Sequence, residues 1–274
     1  MVSLSHGPET KEARVSGENR MRWFYQRNKW GLGNFIMATP MLSIERKRSN
    51  TPIPVYFDND SIASLYRDSS FIRILKNKPR NKPFAATCTP KLNKKESDYQ
   101  AFCRIYLDSS MTESPFVDNC QDDLKLERKD GKKYVAVFHG CTGTKYKKHK
   151  DVGKSVRQDI VDALISHDIT PVILGNKADI DNYWSHNDIS NSLCVDYLGK
   201  LSLRHSVSIA YQCDSFISND TGLYHVCSAL GKRGLVLWKN TDIDKNRCPS
   251  SRVDHIKKNY TRHILEFISN EDSI

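Results

Sequence analysis

From Ser215 to Trp238 the chain reads SFISNDTGLYHVCSALGKRGLVLW, and few architectures accommodate that order of residues. A short apolar run ends at Asn219-Asp220-Thr221-Gly222; Leu223, Val226, Cys227 and Leu230 then recur at i, i+3, i+4 and i+7, the spacing of one helix face. Gly231 stops that helix, and Gly234 to Trp238 is a second apolar run. Strand, helix and strand in such close succession make a βα unit with a parallel sheet. Ligands of doubly wound sheets bind outside the C-terminal ends of the strands, which here is the turn at Asp220.

The rest of the chain follows the same grammar. Tyr134 to Phe138 is a continuous apolar strand, Val156, Ile160, Val161 and Leu164 mark a helix face, and Pro171 to Leu174 is the next strand, ending at Gly175. Earlier, MRWFYQ from Met21 predicts a strand, followed by Gly31-Leu32-Gly33-Asn34, the apolar stretch Phe35 to Pro40 and a helical segment to about Arg48. Ile53 to Phe57 predicts a second strand, Ile62, Leu65 and Tyr66 a helix, Phe84 to Cys88 a third strand and Tyr99 to Leu107 another helix. A helix around His263 to Ile268 is expected to pack back across the two halves. The polar stretch from Asp108 to Lys133 holds the linker. The resulting division is a flexible tail over 1–19, an N-terminal domain over 20–115, a linker over 116–133 and a C-terminal domain over 134–274.

Composition narrows the function. At 274 residues, 38% apolar and 27% charged, the chain is neither low-complexity nor membrane-spanning, because no apolar run nears the roughly 18 residues a span requires. The first twenty residues are polar and cannot serve as a secretory core, so a cytoplasmic location is expected. Eight cysteines lie scattered without a C-x-x-C pair, which argues against a zinc site and against a disulfide framework. The net charge of +10 suits an anionic ligand or polyanion.

Short motifs refine that expectation. At Asp220-Thr221-Gly222 a helix begins, with His225 on its first turn; backbone N–H groups there can face a diphosphate and the helix dipole favours its charge. The plainer alternative is that Asp220 caps the helix, Thr221 is a first-turn residue and His225 is structural. Gly31-Leu32-Gly33-Asn34 does not continue as G-x-G-x-x-G, since position 36 is Ile. Gly140-Cys141-Thr142-Gly143-Thr144-Lys145 follows a strand as a phosphate-cradling loop does, but it lacks the Walker pattern. Lys145, Lys147, Lys148 and Lys150 either contact phosphate or form a solvated surface.

Taken in order, these pieces resemble the glycosyltransferase family that contains the lipopolysaccharide heptosyltransferases, glycosyltransferase family 9. GLGNFIMATP is similar to the family's glycine turn, G-x-G-[DN] followed by T-P. KDVGKSVRQDIVDAL stands where the family has K-x-W-P and a helix, and PVILGNKAD resembles its strand and G-x-x-x-[DE]. LGKLSLRHSVSIAYQCDSFISNDTGLYHVCSALGK follows its D-x-x-I-x-x-D-T-G-x-x-H-x-x-x-A-L-G. The resemblance implies the α/β GT-B fold, two facing Rossmann-like domains with parallel sheets. It also implies sugar transfer from a nucleotide diphosphate sugar with inversion, without a metal or other cofactor.

By that resemblance Asp220, Thr221, Gly222 and His225 hold the donor's diphosphate and sugar, and Lys150 neutralises the departing diphosphate. Asp179 and Leu201 line the nucleoside pocket, and Gly33, Thr142 and Gly175 complete the donor contacts. Where the best-known members have an Asp as base, this chain has Asn34, which cannot accept a proton near neutral pH. Asp58 and Asp60, after the second strand, are the expected substitutes. The acid-free basic set Arg73, Lys76, Lys78, Arg80, Lys82, Lys91, Lys94 and Lys95 is either a solvated loop or the recognition surface for an anionic acceptor. A lipopolysaccharide-type or lipid-linked glycan, met by peripheral membrane contact, is the leading acceptor. A phage-type enzyme acting on modified DNA and a silent nucleotide-sugar-binding relative are the alternatives.

Overall fold

The computed structural model describes residues 22–27, 31–86, 96–108, 110–118, 120, 124–140, 148–182 and 193–270. The expected tail 1–19, Cys88, Lys91, Lys94, Lys95, Thr142, Lys145 and Lys147 lie outside them. Two parallel sheets carry the chain, as the alternation of strands and helices predicts.

The smaller sheet has the order β3-β2-β1-β4, from β1 (Phe24–Gln26), β2 (Ile53–Phe57), β3 (Ile72–Ile74) and β4 (Ala85–Ala86). Its helices are α1 (Leu32–Ser49), α2 (Asp60–Ser64) and α3 (Asp98–Leu107). Helix α1 begins before the apolar stretch, so Gly33 and Asn34 occupy its first turn and Pro40 lies inside it. Pro40 has no N–H to donate to the Ile36 carbonyl. The Thr39 hydroxyl donates to that carbonyl instead, at 2.8 Å, and accepts from the Phe116 N–H at 2.9 Å. Strand β3 is an addition to the sequence reading: Arg73 belongs to an edge strand rather than to a loop, because Ile72 is buried under the sheet while its neighbours face water.

The larger sheet has the order β10-β9-β8-β5-β6-β7, from β5 (Lys133–Phe138), β6 (Ile169–Leu174), β7 (Val195–Asp196), β8 (Ser215–Asn219), β9 (Arg233–Leu237) and β10 (Val253–Ile256). Helices α4 (Lys154–Ser166), α5 (Lys177–Asn182), α6 (Leu203–Gln212), α7 (Gly222–Ala229), α8 (Ile243–Asn246) and α9 (Tyr260–Ser269) cover it. Alternation along its central strands splits the core in two. Val135, Val137, Ile173 and Ile217 face one cluster; Tyr134, Ala136, Phe138 and Phe216 face the other. The second cluster continues into Phe24, Phe35 and Tyr66 of the smaller sheet, so one apolar core joins both halves.

That joint is reinforced by polar groups. Arg204 on α6 donates to the Ser64 carbonyl at 2.7 Å and pairs with Asp68 at 2.8 Å. Within the expected linker, Leu124 and Leu126 are bound to α6 through Ser208 and Gln212. Helix α9 departs from expectation. It packs on α4 and β9, and its Ile264, Phe267 and Ile268 fill the core on the outer face of the larger sheet instead of crossing between the halves.

Candidate functional site

The C-terminal ends of β5 and β8 and the start of α7 bring the polar residues together. Asn219, the last residue of β8, is fully buried; its Nδ2 donates to the Lys150 carbonyl at 3.1 Å and its Oδ1 accepts from the Gly140 N–H at 3.3 Å. One amide thus fixes the strand ends and the segment carrying Lys150. The cap of α7 is Thr221, whose Oγ1 accepts from the Leu223 N–H at 3.2 Å, so the capping alternative falls on Thr221 and not on Asp220. Asp220 is free of that duty. Its carboxylate lies 3.0 Å from the Lys150 ammonium, which also donates to the Asp220 carbonyl at 3.0 Å.

The Lys150 segment is held from its other side. Asp151 accepts from the Gly153 N–H at 2.9 Å and from Arg157 at 2.6 Å, and His139 lies 3.6 Å from it. Burial alone would raise the Asp151 carboxyl, but the His139 bond, the Gly153 N–H and the Arg157 charge outweigh it and hold the group well below the usual carboxylate range. Burial, aided by the Arg157 charge, lowers His139 despite its Asp151 bond, so the imidazole is neutral near pH 7.

Asp179 occupies a second niche. Its Oδ2 accepts from the Asn176 N–H at 2.8 Å, and its carboxylate lies against Gly140 and Gly175. A Cβ on Gly140 would stand 2.1 Å from Asp179 Oδ1, so glycine is required there by close approach. Leu201 is half-buried against the core shared by Val195 and Tyr197, on the same end of the sheet.

Across from α7 stands the first turn of α1. A Cβ on Gly33 would meet His225 Cδ2 at 2.9 Å, and one on Gly222 would meet Leu32 Cβ at 2.9 Å, so the two glycines let the two helix starts touch. His225 Nδ1 shares a 2.7 Å hydrogen bond with the Tyr99 hydroxyl of α3. Burial first, then the charges of Lys150 and His255, push His225 well below its ordinary pKa, so it is a neutral hydrogen-bonding group.

The structure therefore groups Gly33, Lys150, Asp220, Thr221, Gly222 and His225, with Asp179, Gly175 and Leu201 at the neighbouring strand ends. Asn34 is half-buried in the first turn of α1. Asp58 and Asp60 are exposed: Asp58 accepts from the Tyr25 hydroxyl at 2.7 Å, and Asp60 opens α2 behind its Asn59 cap. Sequence reasoning missed Tyr99, Asn219 and the His139–Asp151–Arg157 set. A buried Tyr on a short helix carries no motif, and the others signal only through partners distant in sequence. The arrangement offers a cation, helix N–H groups and a neutral imidazole to an anion.

Comparison with known proteins fits this geometry. Residues 89–267 match the model of the family described as Glycosyltransferase family 9 (heptosyltransferase). Among solved structures, E. coli heptosyltransferase WaaC with ADP superposes with a TM-score of 0.68 at 11% identity, covering 93% of this chain and 100% of that one. E. coli ADP-heptose LPS heptosyltransferase II gives 0.67 at 13% identity, covering 87% and 91%. The iron-containing dodecameric glycosyltransferase TibC from enterotoxigenic E. coli H10407 gives 0.63 at 15% identity, covering 88% and 64%. No curated protein sequence matches the chain. With more than half of its length matched by the family, and with two parallel sheets arranged as in these GT-B enzymes, the chain belongs to glycosyltransferase family 9, the heptosyltransferases.

Proposed function

We propose that this glycosyltransferase moves a heptose or related sugar from a nucleoside diphosphate sugar to a hydroxyl of an anionic glycan, with inversion and without a bound metal. The observation that carries the reading is the Lys150–Asp220 pair at the start of α7. As the bond to the sugar breaks, the diphosphate gains negative charge. A preorganised cation and helix N–H groups act where that charge develops. Thr221 and Gly222 supply the helix start, His225 and Asp220 meet the sugar, and Asp179, Gly175 and Leu201 border the nucleoside. ADP-heptose is the first donor to test, because the similar structures include ADP and ADP-heptose enzymes.

In this reading 20–115 and 134–274 are the two lobes joined by 116–133, and the acceptor approaches from the N-terminal lobe. An acceptor and a leaving group on opposite sides of the sugar favour back-side displacement, which inverts the anomeric carbon. The acceptor is anionic because Arg73, Lys76, Lys78, Arg80 and Lys82 are all exposed along edge strand β3 and the segment after it. Among the described residues no group of three or more His, Cys, Asp and Glu side chains is placed to hold a metal, and no helix is long and apolar enough to cross a membrane.

The test is ADP release from ADP-heptose, followed with and without glycan acceptors and with EDTA. Release unchanged by EDTA, with the product's anomeric configuration opposite to the donor's, is expected. Retained configuration or EDTA inhibition contradicts the corresponding part.

A further inference from the structure

The reaction proposed above needs a proton acceptor, Asn34 cannot be one, and Asp58 and Asp60 are exposed, with Asp58 engaged by the Tyr25 hydroxyl. Among the described residues, Asp98 is a buried acid without an assigned task close to the junction of the two lobes. Helices α1 and α3 run side by side: Arg48, near the end of α1, donates to the Leu107 carbonyl at the end of α3. Both helices also reach α7 near their starts: Gly33 of α1 stands against the His225 ring, and Tyr99 of α3 bonds His225 Nδ1. Asp98 is the first residue of α3 and is 2% exposed.

Asp98 is not needed to cap its helix. Ser97 and Gln100 do that reciprocally, the Ser97 Oγ accepting from the Gln100 N–H at 3.4 Å and the Gln100 Oε1 accepting from the Ser97 N–H at 3.0 Å. Its Oδ1 is buried and has no hydrogen-bond partner among the described residues. A buried carboxylate oxygen without a partner is expensive to keep, which marks Asp98 as a group retained for a ligand or a proton.

We propose that Asp98 is the general base of this enzyme, taking the proton from the acceptor hydroxyl as that oxygen attacks the sugar; this rests on the function proposed above. The step balances. The acceptor O–H bond breaks and its proton passes to the Asp98 carboxylate. The acceptor oxygen forms the bond to the anomeric carbon, and the carbon–oxygen bond to the diphosphate breaks. Its electron pair leaves with the nucleoside diphosphate, whose added charge faces Lys150 and α7. Asp98 returns its proton to solvent when product departs.

The electrostatics suit the task. Burial is the main cause that lifts the Asp98 carboxyl from 3.8 to about 6. Lys245 of α8 opposes the rise, while Asp242, which caps α8, and Asp220, at the end of β8, add to it. Tyr99 and His225, the adjoining titratable groups, are both neutral near pH 7, the tyrosine raised and the histidine lowered by burial. A base of this strength is ionised at neutral pH and still strong enough to draw a proton in the transition state.

The experiment uses the full chain with ADP-heptose as donor, ADP release as the readout and water or an added glycan as acceptor. Titration with ADP measures the donor site separately. Asp98→Asn is expected to bind ADP within about threefold of the wild type, to release ADP at least about 100-fold more slowly and to lose the acid limb of the pH–rate profile. Lys245→Met, which leaves Asp98 in place, is expected to move that limb to higher pH, and Asp242→Asn to lower pH. Turnover within threefold in Asp98→Asn, or an acid limb that survives in it, overturns the assignment. So does an acid limb that neither Lys245→Met nor Asp242→Asn moves. A wild type that binds ADP but releases none overturns the base and leaves the donor site standing. A wild type that neither binds ADP nor consumes ADP-heptose overturns the proposed function as well.

Discussion

Replacing Lys150 with Met isolates the pair on which the donor site depends. At 3.0 Å and an effective dielectric constant of about 20, the gross attraction between the Lys150 ammonium and the Asp220 carboxylate is ~5–6 kcal/mol. Much of it is offset by desolvation, since the Lys150 side chain is 22% exposed and that of Asp220 only 4%. Removing the lysine leaves a buried carboxylate without its cation and deprives the Asp220 carbonyl of a donor, so a loss of about 2–3 kcal/mol in folding stability is expected. Asp220→Asn in the same background removes the orphaned charge, and the two changes together should destabilise by at least about 1 kcal/mol less than the sum of the single changes. Urea unfolding of the wild type, both single variants and the double variant closes the cycle. ADP affinity should fall ~10-fold or more in Lys150→Met. A single-variant loss below about 0.5 kcal/mol with no coupling in the cycle would show that Lys150 and Asp220 do not stabilise each other.

Asp98 has a second, thermodynamic signature. The folded state holds a proton between pH 3.8 and about 6 that the unfolded chain releases, so stability falls as pH rises through that window, by up to about 3 kcal/mol. Asp98→Asn should therefore melt higher than the wild type at pH 8 and nearly equal to it at pH 4; a difference independent of pH contradicts the shift. Gly33→Ala places a methyl 2.9 Å from the His225 ring, which Tyr99 holds, and should destabilise by about 1–3 kcal/mol in thermal or urea unfolding. Loss of the Arg204 contacts to Ser64 and Asp68 in Arg204→Met should lower stability by ~1–3 kcal/mol and speed hydrogen exchange in α2 first, whereas unchanged exchange there contradicts its role as a tie between the halves.

What the sequence reveals follows burial. The central strands β5, β6 and β9 carry continuous apolar runs because both of their faces are covered, and α7 is legible from a single apolar face closed by Gly231, whose φ is +72°. Edge elements are not. Strand β3 reads Ile-Arg-Ile with two exposed residues, and β7 is only two residues long, so neither has a period to detect. Helix α6 buries Ser206 together with Arg204 and Ser208, of which Arg204 bonds to the other half and Ser208 to the linker, and a face built from polar residues looks exposed in one dimension. The same applies to the site. Asp220-Thr221-Gly222 announces itself at a strand-to-helix junction, and Lys150 becomes visible through its place in the motif order. Asp98 looks like an ordinary first-turn acid after a Ser cap, because its burial comes from helices distant in sequence.

The roles assigned to Lys150, Thr221 and Gly222 require a nucleoside diphosphate at the start of α7, and a structure with ADP bound tests this most directly. The diphosphate is expected within hydrogen-bond distance of Lys150 Nζ and the first-turn N–H groups of α7, with the nucleoside towards Asp179 and Leu201. A diphosphate bound elsewhere, with Lys150 still paired only to Asp220, would contradict it.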